Sequence, residues 1–142
     1  MLGVARSSID SDFNAEDWHQ YSEKSILKPE LPWEQECIEA PAAIVRDNKV
    51  YLFYAGAYNN CPQQIGLAVS EDGVQFKRVS DTPFLPSGEP GSWNSSESGH
   101  PYVFEDDDSR IHLFYQGNND QGKSWYLSKE EVVYESGGFR LV

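Results

Sequence analysis

Residues 36–56, ECIEAPAAIVRDNKVYLFYAG, set two carboxylates, Glu36 and Glu39, immediately ahead of a β-hairpin pattern. The segments AAIV and VYLFY are rich in β-branched and aromatic residues, and the Asp-Asn pair between them is hairpin turn chemistry. The same signature returns about 60 residues later, where PYVFEDDDSRIHLFYQG at 101–117 follows PAAIVRDNKVYLFYAG at 41–56 with one extra residue in the turn. Self-similarity at a period of tens of residues marks a repeat architecture.

The match extends backwards from both hairpins. Trp18 aligns with Phe76, Leu27 with Leu85, Trp33 with Trp93 and Pro41 with Pro101. A second hairpin follows each first one, at IGLAVSEDGVQFKRV (65–79) and WYLSKEEVVYESGGFRLV (125–142), and GVARSSIDSDFNAEDWHQY (3–21) reads as the leading copy of that second hairpin. Four antiparallel strands per unit is what a propeller blade requires. We therefore expect an all-β partial β-propeller of about two and a half four-stranded blades in one domain, with an outer half blade at 1–21 and blades at 41–79 and 101–142. No long helix is expected; SKEEVVYE (128–135) is the only short candidate, and it reads as a turn or outer-strand edge. The alternating side chains of VYLFY and IHLFY should reach opposite sheet faces, both covered because blades stack face to face.

Charge and composition exclude several function classes. Eleven Lys and Arg against 23 Asp and Glu give a net charge of −12, without a basic cluster to follow a phosphate backbone, so nucleic acid and anionic membrane are poor partners. The N-terminal MLGVARSSID has no signal-peptide core, which points to a cytoplasmic protein. Cys37 and Cys61 are too few for a disulfide framework and lack metal-ligand spacing.

The repeat register selects the candidate site. In a propeller the first strand of each blade lines the central channel, and position 39 lies two residues before the proline that opens that strand. Its counterpart in the next unit is the Gly99-His100-Pro101 segment, so an acid and a histidine face one channel mouth. Glu36 lies farther out and is the alternative acid.

Glu39-Ala40-Pro41 followed by VYLFYAG resembles the general-acid segment of glycoside hydrolase family 43, whose fold is a five-bladed propeller, although that family more often has Gly at the position of Ala40. Residues 98–106, SGHPYVFED, are similar to a later family segment whose His reaches a buried cation or water beneath the sugar. Glu36-Cys37 matches half of the Glu-Cys-Pro-Asp motif of the related family 32, with Ile38-Glu39 in place of Pro-Asp. The resemblance implies a glycosidase acting on arabinofuranosides, xylosides or fructosides, with Glu39 as general acid, His100 as a substrate-binding organiser or indirect metal contact, and a structural calcium in the channel. Trp33, Trp93 and Tyr58 are candidates for stacking on sugar rings, although packing between blades is the commoner use of such aromatics.

Glycoside hydrolysis needs a second carboxyl to activate water or attack carbon. The family's base and tuning aspartate lie upstream of its acid, and this chain opens only half a blade before Glu39; Asp10, Asp12 and Asp17 sit in the outer hairpin. A closed five-bladed ring at this spacing needs about 300 residues, so we expect the C-terminal blades of a propeller, or a chain that self-associates through exposed blade faces. Two other readings are a non-catalytic carbohydrate-binding or vestigial propeller, and a kelch- or WD-type interaction propeller. The kelch/WD reading is weakened by the long repeat and the missing signature dipeptides.

Overall fold

In the computed structural model, which describes residues 1–142, both hairpin repeats become the first two strands of four-stranded antiparallel sheets. A short ladder of β1 (Ala5–Arg6) and β2 (His19–Gln20) comes first. The first sheet is β3 (Ile38–Arg46), β4 (Lys49–Gly56), β5 (Gln64–Ser70) and β6 (Lys77–Arg78), in chain order across the sheet. The second is β7 (Glu97–Glu105), β8 (Ile111–Asn118), β9 (Tyr126–Glu135) and β10 (Gly138–Leu141), also in chain order. Helical structure is confined to two single turns, Ala15–Asp17 and Pro32–Glu34. The chain is all-β, with the blade-like sheets of a partial propeller.

The segment SKEEVVYE departs from expectation. It lies inside β9, hydrogen-bonded to β8 on one side and β10 on the other, rather than at a turn or edge. Its charges obscure the strand because only one row faces the core: Val132 is buried, while Lys129 and Glu131 alternate onto the other face.

The sheets pack face to face. Tyr51 and Phe53 of β4, with Ile65 and Leu67 of β5, meet Ile111, Leu113 and Tyr115 of β8, Val132 of β9 and Phe139 of β10 in one core. The alternate residues Leu52 and Tyr54 point the other way, into a second core closed by Leu2, Leu27 and Ile38 with Ile26, Trp33 and Phe76 packed against it. Leu2 and Leu27 are tied by a backbone bond of 2.8 Å. Residues from the first 38 positions thus cover the back of the first sheet.

The same coverage is missing from the second sheet. Ile111, Leu113 and Tyr115 are buried, but Phe114 is only half-buried, and Tyr102, Phe104 and Leu127 on that face are 63%, 47% and 75% exposed. The expectation that both faces would be covered holds for VYLFY and fails for IHLFY, because no segment crosses the back of β7–β9 as the N-terminal residues cross β3–β5.

An unforeseen polar anchor fixes the N-terminal strap. Glu34, fully buried, accepts from Arg78 through both oxygens, from Nε and Nη2 at 2.7 Å each, from the Tyr54 hydroxyl at 2.7 Å, and from the N–H groups of Glu30 and Leu31. Burial opposes ionisation, but the Arg78 guanidinium and the Leu31 and Glu30 N–H groups outweigh it and hold the carboxyl below the usual glutamate value. Arg78 also reaches the Lys28 carbonyl at 2.7 Å, so β6 clasps the strap from two sides.

Candidate functional site

A proline at the third position of each motif sets the local geometry. Proline has no N–H to give to the ladder, and in both copies the pairing breaks there. It passes from Glu39↔Ala55 to Ala42↔Phe53 in the first sheet and from Gly99↔Gln116 to Tyr102↔Phe114 in the second, so two residues face one. Such a bulge bends the strand and re-aims its side chains. The residue before each proline takes a left-handed backbone, Ala40 at φ 48° and His100 at φ 47°. That conformation costs a non-glycine residue on the order of 1–3 kcal/mol, and both copies keep it.

The two bulges bring Glu39 and His100 together. Glu39 Oε1 lies 3.8 Å from His100 Nε2 and accepts a 2.8 Å hydrogen bond from Gln63 Nε2. The second Gln63 amide proton goes to the Ala57 carbonyl at 3.0 Å. Glu39 Oε2 has no protein partner, and the side chains of Glu39 and His100 are 37% and 39% exposed. One carboxyl oxygen is therefore held and the other accepts from no protein group.

Behind this pair lies a second carboxylate that sequence reasoning missed. Glu97, fully buried, accepts from the Asn60 N–H at 2.9 Å and from Gln116 Nε2 at 3.1 Å. Gln116 Nε2 also bonds His100 Nδ1. Burial pushes the Glu97 carboxyl above its ordinary value; the Asn60 and Gln116 donors and His100 counter this in part, while the charge of Glu39 adds to it. A polar chain runs from Glu97 through Gln116 and His100 to Glu39 and Gln63.

One signal for this chain was present in the repeat. Gly99 stands where the first copy has Glu39, and a Cβ at Gly99 would lie 1.8 Å from Gln63 Oε1. The side chain missing from the second copy makes room for the amide that holds the acid of the first. Glu97 stands where the first copy has Cys37, so an acid at the start of an inner strand was visible, but its burial was not.

The remaining candidates lie elsewhere. Glu36 is exposed, in the loop before β3, without a hydrogen-bonded partner. Trp33 packs on Tyr54 with ring centroids 6.0 Å apart and bonds the Asp81 carbonyl at 3.0 Å; Trp93 packs on Tyr115 at 5.6 Å. A Cβ at Gly56 would lie 2.4 Å from the Trp33 ring, and one at Gly117 would lie 2.8 Å from the Trp93 ring. Each tryptophan therefore occupies the same seat over a β-strand glycine. Tyr58 is 60% exposed in the turn after β4. The residues do not form a cation site by themselves: no cluster of three His, Cys, Asp or Glu has ligand geometry, and both His100 nitrogens face protein groups.

Comparison with known proteins agrees with this architecture. A xylosidase/arabinosidase 43A of Humicola insolens is 33% identical over 93 residues, covering 65% of this chain and 26% of that protein. A beta-1,2-mannobiose phosphorylase of a Thermoanaerobacter species is 32% identical over 120 residues, covering 73% of this chain and 37% of that one. The crystal structure of a thermostable family-43 glycoside hydrolase superposes with a TM-score of 0.69 at 22% identity, over 80% of this chain and 39% of the other. The chain thus spans about a quarter to two fifths of the length of these proteins. No family model matches. Two four-stranded sheets and the paired bulges make the chain a partial β-propeller, similar in sequence to a family 43 xylosidase/arabinosidase and in fold to a family-43 glycoside hydrolase.

Proposed function

We propose that this chain supplies the acid side of a glycosidase site, with carbohydrate as its partner. Glu39 donates a proton from its free Oε2 to the leaving glycosidic oxygen, while Gln63 holds Oε1 and His100 lines the same mouth. The observation that carries this reading is the placement of Glu39 against Gln63 and His100 at matched bulges of two successive sheets. Xylosides and arabinofuranosides are the substrate class to test first, since a relative is named for both sugars.

Glu97 is not the second carboxyl of the reaction. A fully buried side chain reaches neither a sugar carbon nor an attacking water. The assisting base is therefore supplied from outside this chain's site residues, and general-base help is worth about 100- to 10,000-fold. We expect no more than trace turnover of aryl xylosides and arabinofuranosides by the 142-residue chain, any trace being lost in Glu39→Gln and kept in Glu36→Gln. Turnover that survives Glu39→Gln overturns the assignment. The phosphorylase among the relatives favours a second acceptor reading, transfer to phosphate instead of water. Release of a sugar 1-phosphate when phosphate is added would establish it.

The open back of the second sheet supports self-association. Exposed Tyr102, Phe104 and Leu127 form an apolar face of the kind a neighbouring sheet covers.

A further inference from the structure

Glu97 and Gln116 are used by nothing described above, yet they end on His100. Gln116 Nε2 carries two protons, and the structure gives it two acceptors, Glu97 Oε1 at 3.1 Å and His100 Nδ1. An ionised carboxylate accepts only. The amide must therefore present its nitrogen, not its oxygen, to Glu97, and the second proton on that nitrogen meets the imidazole. A ring nitrogen that receives a proton donor cannot itself carry a proton in the neutral ring, so the His100 proton sits on Nε2, the atom 3.8 Å from Glu39 Oε1.

We propose that Glu97, acting through Gln116, is a positioning residue that fixes the tautomer of His100 so that its Nε2–H faces Glu39. The reading of Glu39 as the acid gives this device its use: with Gln63 bonded to Oε1 and His100 Nε2 3.8 Å from the same oxygen, Oε2 is the oxygen free to carry the transferable proton. The tautomer itself does not depend on that reading. The Asn60 N–H on Glu97 Oε2 at 2.9 Å makes the device directional, because it assigns each carboxyl oxygen one donor.

The device makes an isosteric test possible. In Glu97→Gln the Asn60 N–H still needs an acceptor, so the new amide turns its carbonyl to Asn60 and its NH2 to Gln116. Gln116 then flips, its carbonyl faces His100 Nδ1, and the ring must carry its proton there. Long-range 1H–15N correlation on uniformly labelled protein reads the tautomer directly, at a pH where the imidazole is neutral and Glu97 ionised. The chain has three histidines, so His100→Gln assigns the signal and His19 and His112 act as controls for an intact fold.

We expect the Nε2–H form in the parent protein, a shift to the Nδ1–H form in Glu97→Gln, and a mixture in Gln116→Leu, with the control signals unmoved. An Nδ1–H form in the parent protein, or an unchanged Nε2–H form in Glu97→Gln, overturns the proposal. Should Glu97→Gln not fold, an unchanged tautomer in Gln116→Leu overturns it. Loss of the glycosidase reading, with turnover surviving Glu39→Gln, leaves these spectra as they are, so the two failures are distinguishable.

Discussion

The two sheets are copies that differ in what covers them, and their buried acids record the difference. In the first sheet both faces are closed, and Glu34 sits beneath the strap with Arg78 as a bidentate partner. In the second sheet one face is open, and Glu97 is equally buried but has only neutral donors, the Asn60 N–H and the Gln116 amide. A buried charge with a cation and full hydrogen bonding is a structural fastening. One without a cation is held at a cost, and here that cost lies beside the only exposed acid–histidine pair in the molecule. The first sheet carries the fastening, and the candidate site lies between the sheets, with Glu39 from the first and His100, Glu97 and Gln116 from the second.

Breaking the fastening should give the largest effect. Glu34→Gln leaves Arg78 with its side chain 11% exposed and no carboxylate at Nε, and removal of one partner from a buried pair costs about 3–5 kcal/mol. Chemical denaturation should show this loss, and Arg78→Met should show one of similar size. A change below about 1 kcal/mol in both would mean that the pair is not what holds the strap.

Next in size are the two matched glycines. Gly56→Ala drives a Cβ to 2.4 Å from the Trp33 ring, and Gly117→Ala drives one to 2.6 Å from the Glu97 carbonyl as well as 2.8 Å from Trp93. Overpacking of this kind costs about 1–3 kcal/mol. The second variant should be the worse of the two, because a backbone carbonyl yields less than a ring edge. Equal losses would show that only the tryptophan seat matters.

The pH dependence of stability separates the two acids by sign. Glu34 has a folded pKa below its unfolded value, so its stabilisation is present above the unfolded pKa and is lost as pH falls through the folded one. Glu97 has a folded pKa above its unfolded value, so the folded state binds more protons between them, and stability falls as pH rises through that window. Denaturation as pH rises above the ordinary glutamate pKa should therefore show a declining component that Glu97→Gln flattens and Glu34→Gln does not; a slope unchanged in Glu97→Gln contradicts the assignment.

The smallest effect on stability should come from the open face. Tyr102→Ser and Phe104→Ser remove exposed rings, so the monomer should change by no more than about 0.5 kcal/mol. Sedimentation should show weakened association in both. Unchanged sedimentation would remove this face as the contact.

Much of the architecture was legible because it repeats. The Asp/Asn turns, the VYLFY and IHLFY strands and the two tryptophans, Trp33 and Trp93, recur about 60 residues apart, and local steric and hydrogen-bonding rules act alike on each copy. SKEEVVYE was misread because three of its charges, Lys129, Glu131 and Glu135, lie on the face opposite buried Val132, and the fourth, Glu130, is bonded by the Tyr115 hydroxyl. Within the site, the sequence by itself determined that Glu39 and His100 stand at equivalent bulges, since each proline breaks its ladder wherever the strand lies. Only the tertiary structure decided that Gln63 crosses to Gly99, that Glu97 is buried, and that Gln116 joins it to His100. Those contacts link segments of different strands and sheets, and their energies depend on burial and on which donors are within about 3 Å, quantities that exist only once the sheets have packed.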